Sequence, residues 1–142
     1  MSATTKDCIT EAAQNDHAHC MMCGQDNPRS LGLCFHSEAE RVCATFKIRP
    51  TMQGYTGILH GGVVASLLDS AMTHCLFHHG VQGLTGDLHV RFIRPIPCDV
   101  TVEIRAWILS ATEPLYKLRA ELVYEQRIMA WAQGKFLRRR EP

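Results

Sequence analysis

The sequence predicts an α+β fold in which one long apolar helix covers a single face of an antiparallel sheet of five to six strands. Three observations carry this. Only the stretch from Gly61 to about His79 repeats apolar residues at helical spacing over enough turns to make a long buried helix. Most of the remaining ordered sequence alternates apolar and polar residues with period two, as half-buried strands do. The order, two strands, a helix and then a meander of strands, leaves the sheet one helix to pack against.

Residues 1–19 are polar and weakly periodic, and are expected to form a flexible N-terminal arm; residues 20–142 then make a single domain. "CGQDNPRSLG" is dense in turn formers. A short strand is expected over Leu31 to Ser37, with Leu31, Leu33 and Phe35 alternating. "RVCATFKI" follows as a strand with Val42, Ala44, Phe46 and Ile48 on its inner face, ended by Pro50. The helix buries Val64, Leu67, Leu68, Ala71, Cys75 and Leu76, and Gly80 and Gly83 close it. Gly62, Ser66, Asp69 and Thr73 form a second stripe, small and polar, which another backbone or a ligand can approach closely. His74, His78 and His79 lie at the end of the helix, where histidines suit the dipole. In the later strands Leu88, Val90 and Phe92 alternate with His89, Arg91 and Ile93, and Val100 to Ile108 and Tyr116 to Tyr124 alternate likewise; the inward set expected in the last strand is Ile128, Ala130, Ala132, Gly134 and Phe136. "EQR" at 125–127 is short enough for a hairpin, and the small middle of the last strand fits a helix lying directly on it.

A formal net charge of +1 gives no global attraction to nucleic acid or to a membrane surface. No apolar run reaches the roughly 18–20 residues of a membrane span. The N-terminal residues lack the apolar centre of a signal peptide, so a cytoplasmic location is expected. Seven scattered cysteines, several in apolar runs, read as reduced, buried thiols rather than a disulfide framework. Cys20 and Cys23 have metal-pair spacing, and His17 or His19 could complete a set. With only one cysteine pair, the favoured reading is a turn with inward thiols, and no metal or cofactor is expected.

"GILHGGVVASLLD", followed by "LTGDLHVRFIRPIP", resembles the hotdog-fold acyl-CoA thioesterases of the phenylacetate-pathway (PaaI-like) type. The resemblance runs from about Cys20 to Phe136, and its specific part is a His-Gly-Gly triplet with an aspartate nine residues after the histidine. It implies a long helix wrapped by the sheet. It also implies a homodimer, with a homotetramer as a dimer of dimers left open, paired sites at the subunit interface and acyl-CoA as substrate.

The chemistry of the residues agrees with that implication. Thioester hydrolysis builds negative charge on the carbonyl oxygen. Free backbone N–H groups at a helix start can stabilise that charge, and a glycine lets the thioester approach them. The resemblance carries this role onto Gly61, with Gly62 beside it; the structural alternative is that both only relieve crowding at a tight turn. Asp69 lies two turns into a buried helix, where a carboxylate is costly unless paired or hydrated. It is expected to be the general base or the nucleophile, and the resemblance implies that it acts across the dimer; the structural alternative is a hydrogen-bonded aspartate or one at an exposed helix flank. Thr85 matches the position of a hydroxyl that helps hold the attacking water, and could equally be an ordinary strand threonine. His60 is expected to orient the loop or touch substrate. Many relatives carry Asn or Gln at the place of Gly54, so the neighbouring Gln53 is the candidate for that contact. Arg91 and Arg94 could meet coenzyme A phosphates through arginine forks. Met52, Tyr55, Leu59, Met72 and Phe77 hint at an apolar groove. The alternative function is a non-catalytic acyl-CoA or lipid-binding hotdog module. A hotdog dehydratase is disfavoured because its His-Phe-Pro stretch and helical glutamate are missing.

Overall fold

The computed structural model describes residues 5–140. A short helix, α1 (Thr5–Gln14), precedes strands β1 (His36–Glu38) and β2 (Arg41–Lys47), a 3-10 turn at Pro50–Met52 and the long helix α2 (Gly61–His78). Four strands follow: β3 (Gly83–Phe92), β4 (Thr101–Thr112), β5 (Leu115–Tyr124) and β6 (Arg127–Arg138). All six strands form one antiparallel sheet in the order β1-β2-β4-β5-β6-β3, which leaves β3 as an edge strand.

α2 lies across one face of this sheet. Its Val64, Leu67, Leu68, Ala71, Met72, Cys75 and Leu76 meet Val102, Ile104, Leu118, Leu122, Ala132 and Phe136 in a single core. The small middle of β6 lets the helix approach: a methyl group on Gly134 would sit 2.6 Å from the Phe136 ring and 3.2 Å from the Met72 side chain. The helix stops where His79 caps it and Gly80 takes a left-handed φ of 73°, the conformation that favours glycine after a helix C-terminus. β5 and β6 are joined by Glu125 and Gln126 alone. Both have positive φ, 51° and 63°, as a two-residue type I′ hairpin turn requires.

Four expectations need correction. In place of a loose arm, residues 5–14 form a helix whose Ala12 is buried in the core. Cys8, on this helix, is joined by a disulfide to Cys34, with Cα atoms 5.4 Å apart, so not every cysteine is a free thiol; a separation of 26 residues leaves no local signal of the pairing. The strand expected over Leu31 to Ser37 is regular only at His36–Glu38. Leu33 and Phe35 are nonetheless buried, because the preceding backbone pairs with Met21 and Met22 instead of a sheet neighbour. Met72 and Phe77 do not line an open groove: both are buried, Met72 against β6, and Tyr55 is exposed.

Candidate active site

The N-terminus of α2 is assembled by a compact loop. His60 N–H donates to the Met52 carbonyl at 2.9 Å, Leu59 N–H to Ile96 at 2.8 Å, and Gly54 N–H to Ile58 at 2.9 Å. Gln53, expected near the substrate, turns its Oε1 back to accept from Gly57 N–H at 2.9 Å, so its side chain closes the loop. Gly54 packs on His60, 3.4 Å separating a notional methyl from the imidazole Cδ2. His60 is the helix cap: its Nδ1 accepts from Gly62 N–H at 2.8 Å, and its carbonyl accepts from Val63 and Val64 at 3.0 and 3.2 Å.

These bonds decide which amide is left. Of the first four N–H groups of α2, those of residues 62, 63 and 64 are taken by His60, while Gly61 N–H has no partner among the described residues. Gly61 lines a cleft of about 220 Å³ with Leu59, Val64, Phe92, Arg94 and Ile96. An unpaired amide at the positive end of an 18-residue helix, on a residue that lines an apolar cleft, is chemically able to donate to an oxygen.

Asp69 is placed differently. Its Oδ1 accepts from Thr85 Oγ1 at 2.6 Å. Burial holds its carboxyl above the ordinary aspartate value, and the Thr85 hydroxyl pulls the other way by stabilising the charged form. Thr85 reaches the helix because β3 carries a bulge between Thr85 and Asp87. Residues 85 and 88 would otherwise face opposite sides of a strand, yet Thr85 bonds to α2 and Leu88 packs on the core. A glycine inside the strand, Gly86, was the sequence sign of that bulge.

The candidate residues therefore fall into separate groups within one chain. Gly61, Gly62, His60 and Arg94 gather at the start of α2, and Asp69 pairs with Thr85. Eight residues at ~1.5 Å each separate Asp69 from Gly61 by about 12 Å along the helix axis. Arg91 is not part of the cleft: it pairs with Trp131 on the face of the sheet opposite to Val90 and Ala132. Of the histidines expected to cap the end of α2, His79 does so, with its backbone N–H on Leu76 and Phe77 and its Nδ1 2.9 Å from the Cys75 carbonyl oxygen. His78 Nδ1 instead meets Ser37 Oγ at 3.1 Å, and His74 turns into the interior, 4% exposed. Sequence reasoning missed that inward turn, as it missed the use of Gln53 within its own loop.

One long helix seated across a six-stranded antiparallel sheet is the architecture of the hotdog-fold class. The chain belongs to the thioesterase superfamily, whose profile matches residues 56–129, just over half of it. It is 28% identical over 105 residues to the acyl-coenzyme A thioesterase THEM4 of Bos taurus, an alignment covering 72% of this chain and 43% of that protein. The chain thus spans less than half the length of this curated relative. A solved thioesterase superfamily protein superposes with a TM-score of 0.79 at 22% identity, covering 84% of this chain and 63% of that one. A mutant of the phenylacetic acid degradation protein PaaI from Thermus thermophilus gives a TM-score of 0.70 at 24% identity, covering 77% of this chain and 95% of that one. Among the described residues, no helix is long and apolar enough to cross a membrane.

Proposed function

We propose that this protein hydrolyses an acyl-CoA thioester to a free acid and coenzyme A. The observation that carries the reading is the Gly61 amide, which is the one first-turn donor not consumed by the His60 cap and which opens on an apolar cleft. In this reading the thioester oxygen accepts from Gly61 N–H, and Asp69, as general base or nucleophile, drives attack on the carbonyl carbon. With a general base, water adds to the carbonyl carbon as its proton passes to Asp69. The tetrahedral intermediate then expels the coenzyme A thiolate, which is reprotonated.

A second copy of the chain completes the site. Asp69 lies too far along the axis from its own Gly61 for both to act on one carbonyl, so the Gly61 amide of one subunit works with the Asp69 of another. The edge strand β3 supports the pairing: Leu84 and Phe92 on it, and Ile93 just after it, are large exposed hydrophobics beside an open strand edge. Two such edges joined would cover them, and a dimer of dimers is compatible with this arrangement. Arg94, in the wall of the cleft, could meet a coenzyme A phosphate; Arg91 could do so only for substrate bound across the opposite face of the sheet.

The test is a panel of acyl-CoA esters of varied length, with released thiol as readout, on protein whose dimeric state is checked by sedimentation. Thiol release above the uncatalysed rate is expected for at least one ester. Tight binding of acyl-CoA without release would replace hydrolysis by a binding module.

A further inference from the structure

The far end of α2 carries a second cluster, independent of the thioester reading. His17, Cys23 and His74 each offer one ligand atom, and these atoms lie within 4.8 Å of one another. His17 and Cys23 come from the segment after α1, and His74 comes from the fourth turn of α2. The Cys23 sulfur is 3.6 Å from His17 Nδ1. A zinc ion bound at ~2.3 Å to sulfur and ~2.05 Å to nitrogen with tetrahedral angles would hold that pair about 3.6 Å apart.

The surroundings are those of a site rather than a chance meeting. His74 is 4% exposed, and its Nε2 is buried without a hydrogen-bond partner among the described residues. Leaving such a group unsatisfied is expensive. The ring is held in place by stacking on Phe35 at 4.8 Å and by an edge contact with Phe77 at 4.9 Å. Cys23 is likewise buried.

Cys20 stands three residues before Cys23, and its Sγ accepts from Met22 N–H at 3.3 Å. An N–H aimed at a sulfur stabilises a thiolate and orients it. The chain then doubles back, with Gly24 N–H bonded to the Cys20 carbonyl at 2.8 Å. Only glycine fits that turn, since a Cβ there would lie 2.7 Å from the Cys20 oxygen. Three ligand atoms, from His17, Cys23 and His74, already lie together, and Cys20, on the same tight Cys-x-x-Cys-Gly turn, supplies the fourth donor that a closed four-coordinate zinc centre needs.

We propose that His17, Cys20, Cys23 and His74 bind one structural zinc ion that fastens the N-terminal segment to α2. The sequence did not favour this because the pair Cys20/Cys23 had no partner pair nearby. The missing ligand, His74, lies 51 residues beyond Cys23, among histidines whose place at the end of the helix suggested dipole capping. With Cys20 drawn in as the fourth ligand, the site would keep no open coordination position and its role would be to hold the fold.

The test is the metal content of the full-length protein purified without chelator and in the presence of a reductant. One zinc per chain is expected. Cobalt added to metal-stripped protein should give the strong visible bands of tetrahedral thiolate ligation. Cys23→Ser and His17→Asn should each abolish the cobalt bands and the stoichiometric zinc while keeping the far-ultraviolet circular dichroism of a folded chain. Should either variant fail to fold, the wild-type stoichiometry and cobalt spectrum decide alone. Absence of both metals from folded wild-type protein with titratable free thiols would overturn the proposal, as would full zinc retention in both variants.

Discussion

The two ends of α2 are made of opposite materials. At the start, two glycines and an exposed histidine cap leave the backbone bare, and the Gly61 amide opens on a cleft. At the end, His74, Cys75, Leu76 and Phe77 are all buried, and the preceding polypeptide folds over them through His17, Cys23 and Phe35. The difference teaches where a helix can do chemistry. Its termini both carry unpaired backbone groups, but only an end left free of side chains can present one to a ligand. Asp69 sits between the two regimes, half-buried, with one hydroxyl for company.

The largest expected effect breaks the open end. Asp69→Asn should lower kcat by ~10²–10⁴-fold, the usual worth of a positioned acid–base group, with an unchanged circular dichroism spectrum and unchanged sedimentation. Near-normal turnover would remove Asp69 from the mechanism. A pair of glycine substitutions then sharpens the contrast between open backbone and packed interior. At Gly61 a methyl group would meet the Phe92 ring at an ordinary 3.6 Å, so Gly61→Ala should fold normally. It should lose roughly tenfold to a hundredfold in kcat, at or below the ~10²–10³ cost of deleting an oxyanion donor outright. At Gly134 the same methyl collides with Phe136 and crowds Met72. Gly134→Ala should cost ~1–3 kcal/mol in a urea unfolding experiment, as overpacking does. If both variants lost stability equally, the start of α2 would be as tightly packed as its middle.

Asp69 and Thr85 give a subtler test through pH. Burial raises the Asp69 pKa, and the proposed mechanism needs the ionised form, so activity should fall on the acid side at a higher pH than an ordinary aspartate would give. The Thr85 bond favours the charged form. Thr85→Ala should therefore push the pKa further up, moving the acid limb of the rate profile to higher pH while the alkaline plateau changes less. A limb that stayed in place would mean that Thr85 does not act through Asp69.

How far the sequence could carry the structure depends on the range of the interactions involved. α2 and β2 through β6 could be read directly because period and burial are local properties of consecutive residues. Gly61, Asp69 and Thr85 could be named from their spacing within a recognised family. Four features escaped. The paired cysteines Cys8 and Cys34 and the meeting of His17 with His74 join residues far apart in the chain, and no local pattern encodes them. Leu31, Leu33 and Phe35 showed the alternation of a strand, yet the backbone N–H groups of Leu31 and Leu33 donate to Met21 and Met22. Alternation reports burial, not the bonding partner. Gln53 had the right chemistry for a substrate contact, but the loop it belongs to satisfies Gly57 with it first.

The smallest expected effect concerns His60, and it separates two roles that the sequence left together. If the imidazole is a cap, His60→Ala removes the acceptor for Gly62 N–H and exposes that amide to water. The cost should be about 1 kcal/mol of stability, as is typical when an N-cap acceptor is lost, seen as a lower urea midpoint with unchanged slope. Turnover should drop only modestly, since the Gly61 amide stays free and Asp69 is untouched. A histidine acting as chemical base would give the reverse: a fall in kcat of roughly a hundredfold or more with little change in the midpoint. Measuring both quantities on the one variant distinguishes a residue that holds the open end of the helix in shape from one that takes part in the reaction there.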